Sequence, residues 1–302
     1  MAAGVSKQQA AAGRSGHRLL LIILYSVSFI VIAYLLVDGL SFYLTPYQQR
    51  PRHEDYRLLR PAGEYGHGVG IIGSAMMLFM LLYSLRKRTR AFGKWGNLRS
   101  WLDIHIYFGI IGPLLVILHT SFKVQGLIAV SFWSMIAVAL SGVFGRYLYL
   151  QIPRDFSGEE LNLEQLQGQI DLLSGQLKED LKLDEAIVAK VESDLTPKIK
   201  EGRGPAGALV SIMAEDLVRP LKIRRLRTKY ASEFSLSPEL NRQLFDLARR
   251  RAVLNRKLAL LDQVQQLFHY WHVFHKPFAI IMYLIMVIHI VVATWLGYTW
   301  IF

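Results

Sequence analysis

Long apolar blocks alternate with charged segments along the chain. Five blocks carry almost no charge: residues 19–37, 68–85, 104–122, 126–150 and 277–302, the last beginning a turn or two earlier, near Tyr270. A helix needs about 20 predominantly apolar residues to cross the hydrocarbon core of a membrane. The pattern therefore predicts an all-α integral membrane protein with five transmembrane helices, four over residues 19–150 and the fifth over residues 269–302.

The first apolar block follows a short basic segment, as the core of a signal peptide would. It is longer than a typical signal-peptide core, and no small-residue cleavage site follows it. We therefore expect residues 19–37 to be retained as the first span, preceded by a short N-terminal segment over residues 1–18.

Charged residues between the spans predict the orientation of the protein. The segment 86–99 is strongly basic, whereas residues 38–64 balance basic and acidic side chains. Cytoplasmic loops are enriched in lysine and arginine, so we expect the N-terminus and the 86–100 loop in the cytoplasm and the C-terminus outside. The expected location is a bacterial cytoplasmic membrane.

Residues 151–268 form a long polar segment between the fourth and fifth spans. Apolar residues recur at helical spacing over residues 163–177, and leucines approximate that spacing over residues 240–261. Ser237-Pro238-Glu239 is a favourable helix start, with serine as the cap and proline in the first turn. We predict a cytoplasmic helical hairpin inserted between helices four and five, with a break at Gly202, Gly204 and Pro205.

The same segment could also serve as a docking platform for a redox partner. It is mostly acidic from residue 151 to residue 201 and mostly basic from residue 202 to residue 268, and Arg219–Lys229 would be the basic face of such a platform. Basic residues near a membrane can also bind anionic lipid, so membrane lipids are expected partners too.

Composition excludes several kinds of chemistry. The 302 residues carry a formal net charge of +12 and include no cysteine and 9 histidines. Disulfides, cysteine-ligated iron–sulfur clusters, covalently attached c-type haem and cysteine nucleophiles are therefore excluded. The segregated apolar blocks exclude a soluble globular enzyme. A cofactor has to be held by histidine, carboxylate or methionine side chains.

Four histidines occupy apolar spans at matched spacing. His105 and His119 lie in span three and His275 and His289 in span five, and the members of each pair are 14 positions apart. Fourteen residues advance about 21 Å along a helix and end about 40° short of whole turns. Each helix thus presents two imidazoles on nearly one face, one towards each leaflet.

Spans three and five run in the same direction, because one span separates them. His105 is then level with His275, and His119 is level with His289. Two stacked imidazole pairs suit two six-coordinate, non-covalent b-type haems. Such residues are costly in lipid unless they have a function, so these four histidines are the predicted metal ligands.

Three other histidines lie near these spans. His272 would lie about 100° from His289 on the helix, and His269 would lie on nearly the opposite face. His275 is therefore the preferred ligand, while His269 and His272 are expected to have an interfacial role. His67, at the outer start of span two, is interpreted as structural, with a quinone pocket or a haem propionate as the alternative.

Small and basic residues surround the predicted ligands. Gly109, Gly112 and Pro113 lie between His105 and His119, and Gly142 and Gly145 lie in span four. A flat macrocycle needs backbone without bulk beside it, although ordinary small-residue helix packing explains these glycines equally well. Lys123 is placed to neutralise a propionate at the outer surface, and Arg99 and Lys276 at the inner one.

One glycine motif is not interpreted as a binding site. Gly68-x-Gly70-x-x-Gly73 matches the dinucleotide fingerprint in letters. It lies inside an apolar span and does not follow a strand, so it predicts a small-residue helix face instead.

The paired histidines, Trp101-Leu-Asp-Ile-His105…His119 and His272-Val-Phe-His275-Lys-Pro277…His289, resemble those of the ferric-reductase-like, NADPH-oxidase-like transmembrane cytochromes b. The resemblance covers roughly residues 66–150 and 269–302. It implies two haems stacked across the membrane that carry electrons from a cytoplasmic donor to an acceptor on the far side. Two features depart from the family: the segment of about 115 residues inserted between the haem-bearing halves, and the end of the chain just after span five, from which we expect no flavin and nicotinamide domain.

The sequence therefore predicts a membrane cytochrome b, an electron-transfer subunit of an oxidoreductase complex rather than a self-contained enzyme. The expected partner is a separate cytoplasmic flavoprotein or iron–sulfur protein in a multi-subunit complex, and no nucleic acid is expected to bind. One alternative is a quinone-reactive haem anchor of a larger membrane oxidoreductase. Another, of a different class, is a haem-free membrane scaffold or transporter.

Overall fold

A computed structural model describes residues 2–89, 95–153, 161–176, 190–191, 193–195, 204–233 and 237–298. The regular structure within these ranges is helical. The helices are α1 (Ala2–Asp38), α2 (Leu40–Leu44), α3 (Tyr56–Leu59), α4 (Glu64–Arg88), α5 (Leu98–His119), α6 (Leu127–Gln151), α7 (Leu163–Gly175), α8 (Pro205–Glu233), α9 (Pro238–Ala259) and α10 (Leu261–Trp295), with a 3₁₀ turn at Arg50–Arg52.

Five helical segments are long and apolar enough to cross a membrane, as the sequence predicts. They are Gly16–Asp38, Tyr56–Arg88, Leu98–His119, Leu127–Gln151 and Leu261–Trp295. The fifth helix begins at Leu261, earlier than the apolar pattern indicates, because its first turns are amphipathic rather than uniformly apolar. The all-helical class is therefore confirmed for the described residues, and five of their helical segments could span a membrane. Residues 90–94 of the basic loop and residues 299–302 lie outside the described ranges.

Local sequence signals account for several helix ends. The Asn97 side chain caps α5 by accepting a hydrogen bond from the Ser100 backbone at 2.8 Å. Asn162 and Gln165 form a reciprocal capping box at the start of α7. Ser237 caps α9 with Pro238 in the first turn, as predicted from the sequence. Helix α4 ends in three basic residues, which favour the negative end of its dipole.

The chain divides into two compact units, and both boundaries fall inside helices. The first unit comprises residues Met1–Val143 and Phe274–Phe302, and the second comprises Phe144–Val273.

In the first unit, α4 and α5 pack closely through glycines. A Cβ atom added at Gly73 would lie 3.0 Å from the carbonyl oxygen of Gly112 on α5. This contact confirms that the Gly68–Gly73 motif is a small-residue helix face, because only a bare backbone permits such an approach. Helix α1 joins the pair through Ser28, whose hydroxyl lies 2.6 Å from that of Tyr107.

A methionine cluster fills part of the same unit. Met77 and Met80 of α4, Met135 of α6, and Met282 and Met286 of α10 are buried together. The Tyr283 hydroxyl donates a hydrogen bond to the Met77 carbonyl oxygen at 2.6 Å, and the Ser131 hydroxyl donates to that of Met282 at 3.0 Å. These bonds tie α10 to α4 and α6.

The described residues of the second unit include helical segments beyond the predicted hairpin, namely α8 and short stretches over 190–191 and 193–195. Helices α7 and α9 match the two predicted helical patterns, but α8 lies between them and was not predicted. Its Pro205 begins a helix, whereas the sequence suggested only a break there. Gly202 and Leu177 lie outside the described residues.

Two small cores hold this unit together. Tyr230 of α8 packs with Leu244, Phe245 and Ala248 of α9. The second core, around Ile212 of α8, includes Ile152, Leu260 and Val264.

Candidate functional site

All four predicted ligand histidines lie within spanning helices, and each imidazole is partly buried. His105 and His119 are on α5, and His275 and His289 are on α10. Because a neutral imidazole has one protonated and one unprotonated nitrogen, the partner of one nitrogen decides which of them can bind a metal.

His119 is held by the backbone of α4. Its Nδ1 lies 2.8 Å from the carbonyl oxygen of Gly66. A carbonyl oxygen only accepts hydrogen bonds, so Nδ1 carries the proton and the Nε2 lone pair is left for a metal. One turn further along α4, a Cβ atom at Gly70 would lie 2.6 Å from Cγ of the His119 ring. Gly70 therefore makes the space in which this imidazole sits.

His105 repeats the arrangement at the other end of α5. Its Nδ1 lies 3.3 Å from the Met80 carbonyl oxygen, which again leaves Nε2 without a proton. Its ring centroid is 5.1 Å from that of Tyr83. Carbonyl groups of α4 thus set the same tautomer for both histidines of α5.

His275 is oriented by a serine of α6. Its Nδ1 lies 2.8 Å from the Ser141 hydroxyl, and that hydroxyl also lies 2.9 Å from the Val138 carbonyl oxygen. When Ser141 donates to Val138 it accepts from His275, and the proton of the imidazole is then on Nδ1. A Cβ atom at Gly142 would lie 4.0 Å from Cε1 of the ring, an ordinary contact distance.

His289 belongs to a group of three histidines at the far end of these helices. His119 and His289 lie close enough for their charges to interact, and His67 is within the same range of both. The His67 and His119 ring centroids are 6.4 Å apart. The pairing of His119 with His289, like that of His105 with His275, stays a prediction from their register.

The described residues contain no cluster of three or more histidine, aspartate or glutamate side chains that could hold a bare metal ion. Two axial imidazoles are all that a six-coordinate haem iron requires from a protein.

The glycines and basic residues that were predicted to surround the ligand histidines differ in what they contact. Cβ atoms at Gly109 and Gly112 would face α4, 3.2 Å from Met80 Cε and 3.0 Å from Met77 Cγ respectively, which matches the alternative of helix packing. Lys123 follows the end of α5 and is exposed. Arg99 and Lys276 are exposed as well.

The two other histidines of α10, His269 and His272, differ in their surroundings. The Nδ1 of His272 lies 2.9 Å from the Phe268 carbonyl oxygen one turn earlier, and its ring packs edge-on against that of Trp271. His269 is exposed. The preference for His275 as the ligand stays a prediction from helical register.

A buried arginine, which no sequence pattern singles out, holds the turn that follows His119. Arg50 is 7% exposed and donates hydrogen bonds to the carbonyl oxygens of Tyr43, Thr45 and Ser121 at 2.6–2.8 Å. Ser121 and Phe122 have φ angles of 49° and 60°, a left-handed conformation that costs about 1–2 kcal/mol per non-glycine residue. The Ser121 hydroxyl also donates to the Leu59 carbonyl oxygen at 2.6 Å, so the loop before α4 holds this turn in place.

An apolar groove lies beside His105. It has a volume of about 250 Å³ and is lined by Phe79, Leu82, Tyr83, Trp101, Ile104, His105 and Phe108. Its walls come from α4 and α5, and aromatic rings form much of its surface.

Comparison with models of known protein families, with curated protein sequences and with solved structures finds no match for this chain.

Proposed function

We propose that the chain is a membrane cytochrome b subunit that transfers electrons between the two faces of the membrane. His105 with His275, and His119 with His289, would hold two non-covalent b-type haems. The observation that carries the proposal is that the Nδ1 of three of these imidazoles lies within hydrogen-bond distance of an oxygen atom. His105 and His119 donate from Nδ1 to backbone carbonyl oxygens, which leaves Nε2 as the metal-binding nitrogen, and the Nδ1 of His275 is hydrogen-bonded to the Ser141 hydroxyl.

This arrangement is the one that metal-binding histidines usually show. Their second nitrogen donates to a backbone carbonyl or another oxygen, which fixes the tautomer and the ring orientation. His272 makes the same kind of contact through its Nδ1. The choice of ligands therefore also rests on the helical register of the four histidines and on the glycine that receives the His119 ring. Bound haem supplies one-electron redox chemistry, and the residues around it exclude water.

The chain's own contribution is orientation and a low-polarity surrounding. Buried methionines from α4, α6 and α10 pack near the middle of the same helices. Their polarisable thioethers fill irregular space without introducing charge. With the basic 86–99 segment in the cytoplasm, His105 and His275 belong to the inner end of the path and His119 and His289 to the outer end.

The resemblance to ferric-reductase-like cytochromes b rests on the same four histidines and points to the same function. In this proposal the partner is a cytoplasmic flavoprotein or iron–sulfur protein that docks on residues 151–268, within a larger complex in a bacterial cytoplasmic membrane.

The test is an absorption spectrum of the purified protein. Reduction should give low-spin b-type bands, and the pyridine haemochrome should show two haems per chain. His105→Ala and His119→Ala should each lower the haem content, whereas His269→Ala, an exposed histidine outside the proposed set, should leave it unchanged. A purified and folded protein without haem bands would refute the proposal.

A second candidate function is supported by the groove beside His105. Its volume of about 250 Å³ lies just below the range of drug-sized ligand pockets and suits a single flat ring such as a quinone headgroup. The chain would then be the quinone-reactive anchor of a larger oxidoreductase. Leu82→Trp should fill the groove and slow haem reduction by a quinol, while reduction by dithionite stays unchanged. Equal quinol rates for both proteins would dismiss this candidate.

A further inference from the structure

Helix α8 carries an exposed apolar stripe along its first half. Val210, Met213, Leu217 and Leu221 are 50–79% exposed. At 100° per residue these four side chains fall within a sector of about 80–100°. Exposed apolar patches on soluble surfaces are seldom this regular, and they mark contact with a protein or a membrane.

The opposite face of the same turns is anchored inside the second unit. Ile212 is buried with Ile152, Leu260 and Val264. Asp216 accepts hydrogen bonds from the Tyr147 hydroxyl at 2.9 Å and from the Gln151 amide at 3.1 Å. These contacts fix the rotation of α8, so its apolar stripe is held outwards.

The anchoring residues also set the level of the stripe relative to the membrane. Tyr147 and Gln151 lie in the last turns of α6, and the candidate span Leu127–Gln151 ends there. Because Asp216 is bonded to both, the middle of the stripe lies beside the end of a membrane span. A stripe at the end of a span would lie at the boundary between headgroups and acyl chains.

Beyond Pro220 the exposed side chains of α8 become basic. Arg224 and Arg225 continue the sector of the apolar stripe, and Arg227 and Lys229 are exposed next to them. Arg219, which the sequence placed in the basic face, is instead engaged with Glu215 and Asp216 at 3.5 Å and 3.3 Å. An apolar stripe followed by cations is the pattern of a helix that lies in a membrane interface.

We propose that α8 is an interfacial helix. Its apolar stripe lies in the leaflet beside the end of α6, and Arg224 and Arg225 contact anionic phospholipid headgroups. Position at the end of a span and charge complementarity favour lipid over a protein partner, because each juxtamembrane cation contributes about 1 kcal/mol of attraction to an anionic surface. The inference goes beyond electron transfer and does not depend on haem.

The absence of cysteine makes a clean test possible, since a single introduced cysteine is the only labelling site. The full chain carrying Leu217→Cys is spin-labelled and reconstituted into vesicles of phosphatidylethanolamine and phosphatidylglycerol. The label should be accessible to oxygen and shielded from a water-soluble nickel chelate. Gln243→Cys, an exposed position on α9, is the matched control and should show the reverse.

Two results would overturn the interfacial position. Equal nickel accessibility at Leu217 and Gln243 would place the stripe in water. Shielding of the Leu217 label from both reagents would mean that protein covers it, from a second copy or from a partner. Leu221→Cys provides an independent second site should the first variant be poorly expressed.

The headgroup contact is tested separately. A fluorophore on Thr228→Cys, one turn beyond Arg224, should be quenched more strongly by nitroxide-labelled phosphatidylglycerol than by nitroxide-labelled phosphatidylcholine. Arg224→Gln with Arg225→Gln should abolish that preference. Equal quenching by both lipids in the parent chain would refute the anionic-lipid contact.

Discussion

The contact between Gly70 and His119 provides the sharpest test of the proposed ligand set. A Cβ atom at Gly70 would lie 2.6 Å from Cγ of the imidazole, about 1 Å inside the optimal separation of two heavy atoms. Gly70→Ala should therefore displace the ring or push α4 away from α5. Overpacking of this kind costs about 1–3 kcal/mol, and loss of the hydrogen bond to Gly66 adds about 0.5–1.5 kcal/mol.

The effect on cofactor binding should exceed the effect on folding. Loss of the partner that orients a metal-binding histidine lowers metal affinity by about 10–100-fold. We expect Gly70→Ala to lose the outer haem or to bind it weakly, while the inner haem keeps its spectrum. Haem content by pyridine haemochrome and a reduced-minus-oxidised spectrum measure this, and thermal unfolding in detergent confirms that the protein is folded.

Gly142→Ala is the matched control. This glycine also faces a proposed ligand, but a Cβ atom there would lie 4.0 Å from Cε1 of His275, which leaves room for a methyl group. The variant should retain both haems. If Gly70→Ala also retained two haems with unchanged spectra, either the position of the His119 ring or its role as a ligand would be wrong.

Two further predictions concern parts of the fold outside the ligand set. Arg50→Met should lower the free energy of unfolding by about 3 kcal/mol or more, because hydrogen bonds to a charged group contribute about 1.5–3 kcal/mol each. Thermal unfolding measures this loss of stability, with Arg52→Met, at an exposed position, as the control. Equal unfolding of the two variants would contradict the role of Arg50. Burial alone would raise the pKa of Asp216, but its hydrogen bond to Arg256 at 2.7 Å and the charge of that arginine hold the pKa below its ordinary 3.8. The contribution of Asp216 to stability is therefore present above pH 4 and is lost as the pH falls through the lowered pKa. Hydrogen exchange of α8 should increase in that acid range, and Asp216→Asn should remove this pH dependence, whereas an unchanged acid response in the variant would exclude Asp216 as its source.

Helix α8 shows where sequence patterns reach their limit. Its apolar stripe has helical spacing, but the neighbouring Gly202, Gly204 and Pro205 and the dense basic residues suggested a break and a solvated face. Pro205 instead starts the helix, where its missing N–H has no intrahelical acceptor to lose. The anchoring of Asp216 to α6 joins residues 65 or more positions apart, a contact that no local pattern encodes.

The sequence by itself determined the five spanning helices and the register of the histidines. Both follow from local periodicity, since hydropathy decides which segments leave water and the rise of a helix decides which side chains share a face. Only the tertiary structure decided which oxygen atoms face the Nδ1 of His105, His119 and His275, and how much room the His119 and His275 rings have. Those properties depend on Gly66 and Gly70 for His119 and on Ser141 for His275, partners contributed by other helices far away in the chain. Helix packing brings them within hydrogen-bond distance, and the periodicity of the sequence does not encode that packing.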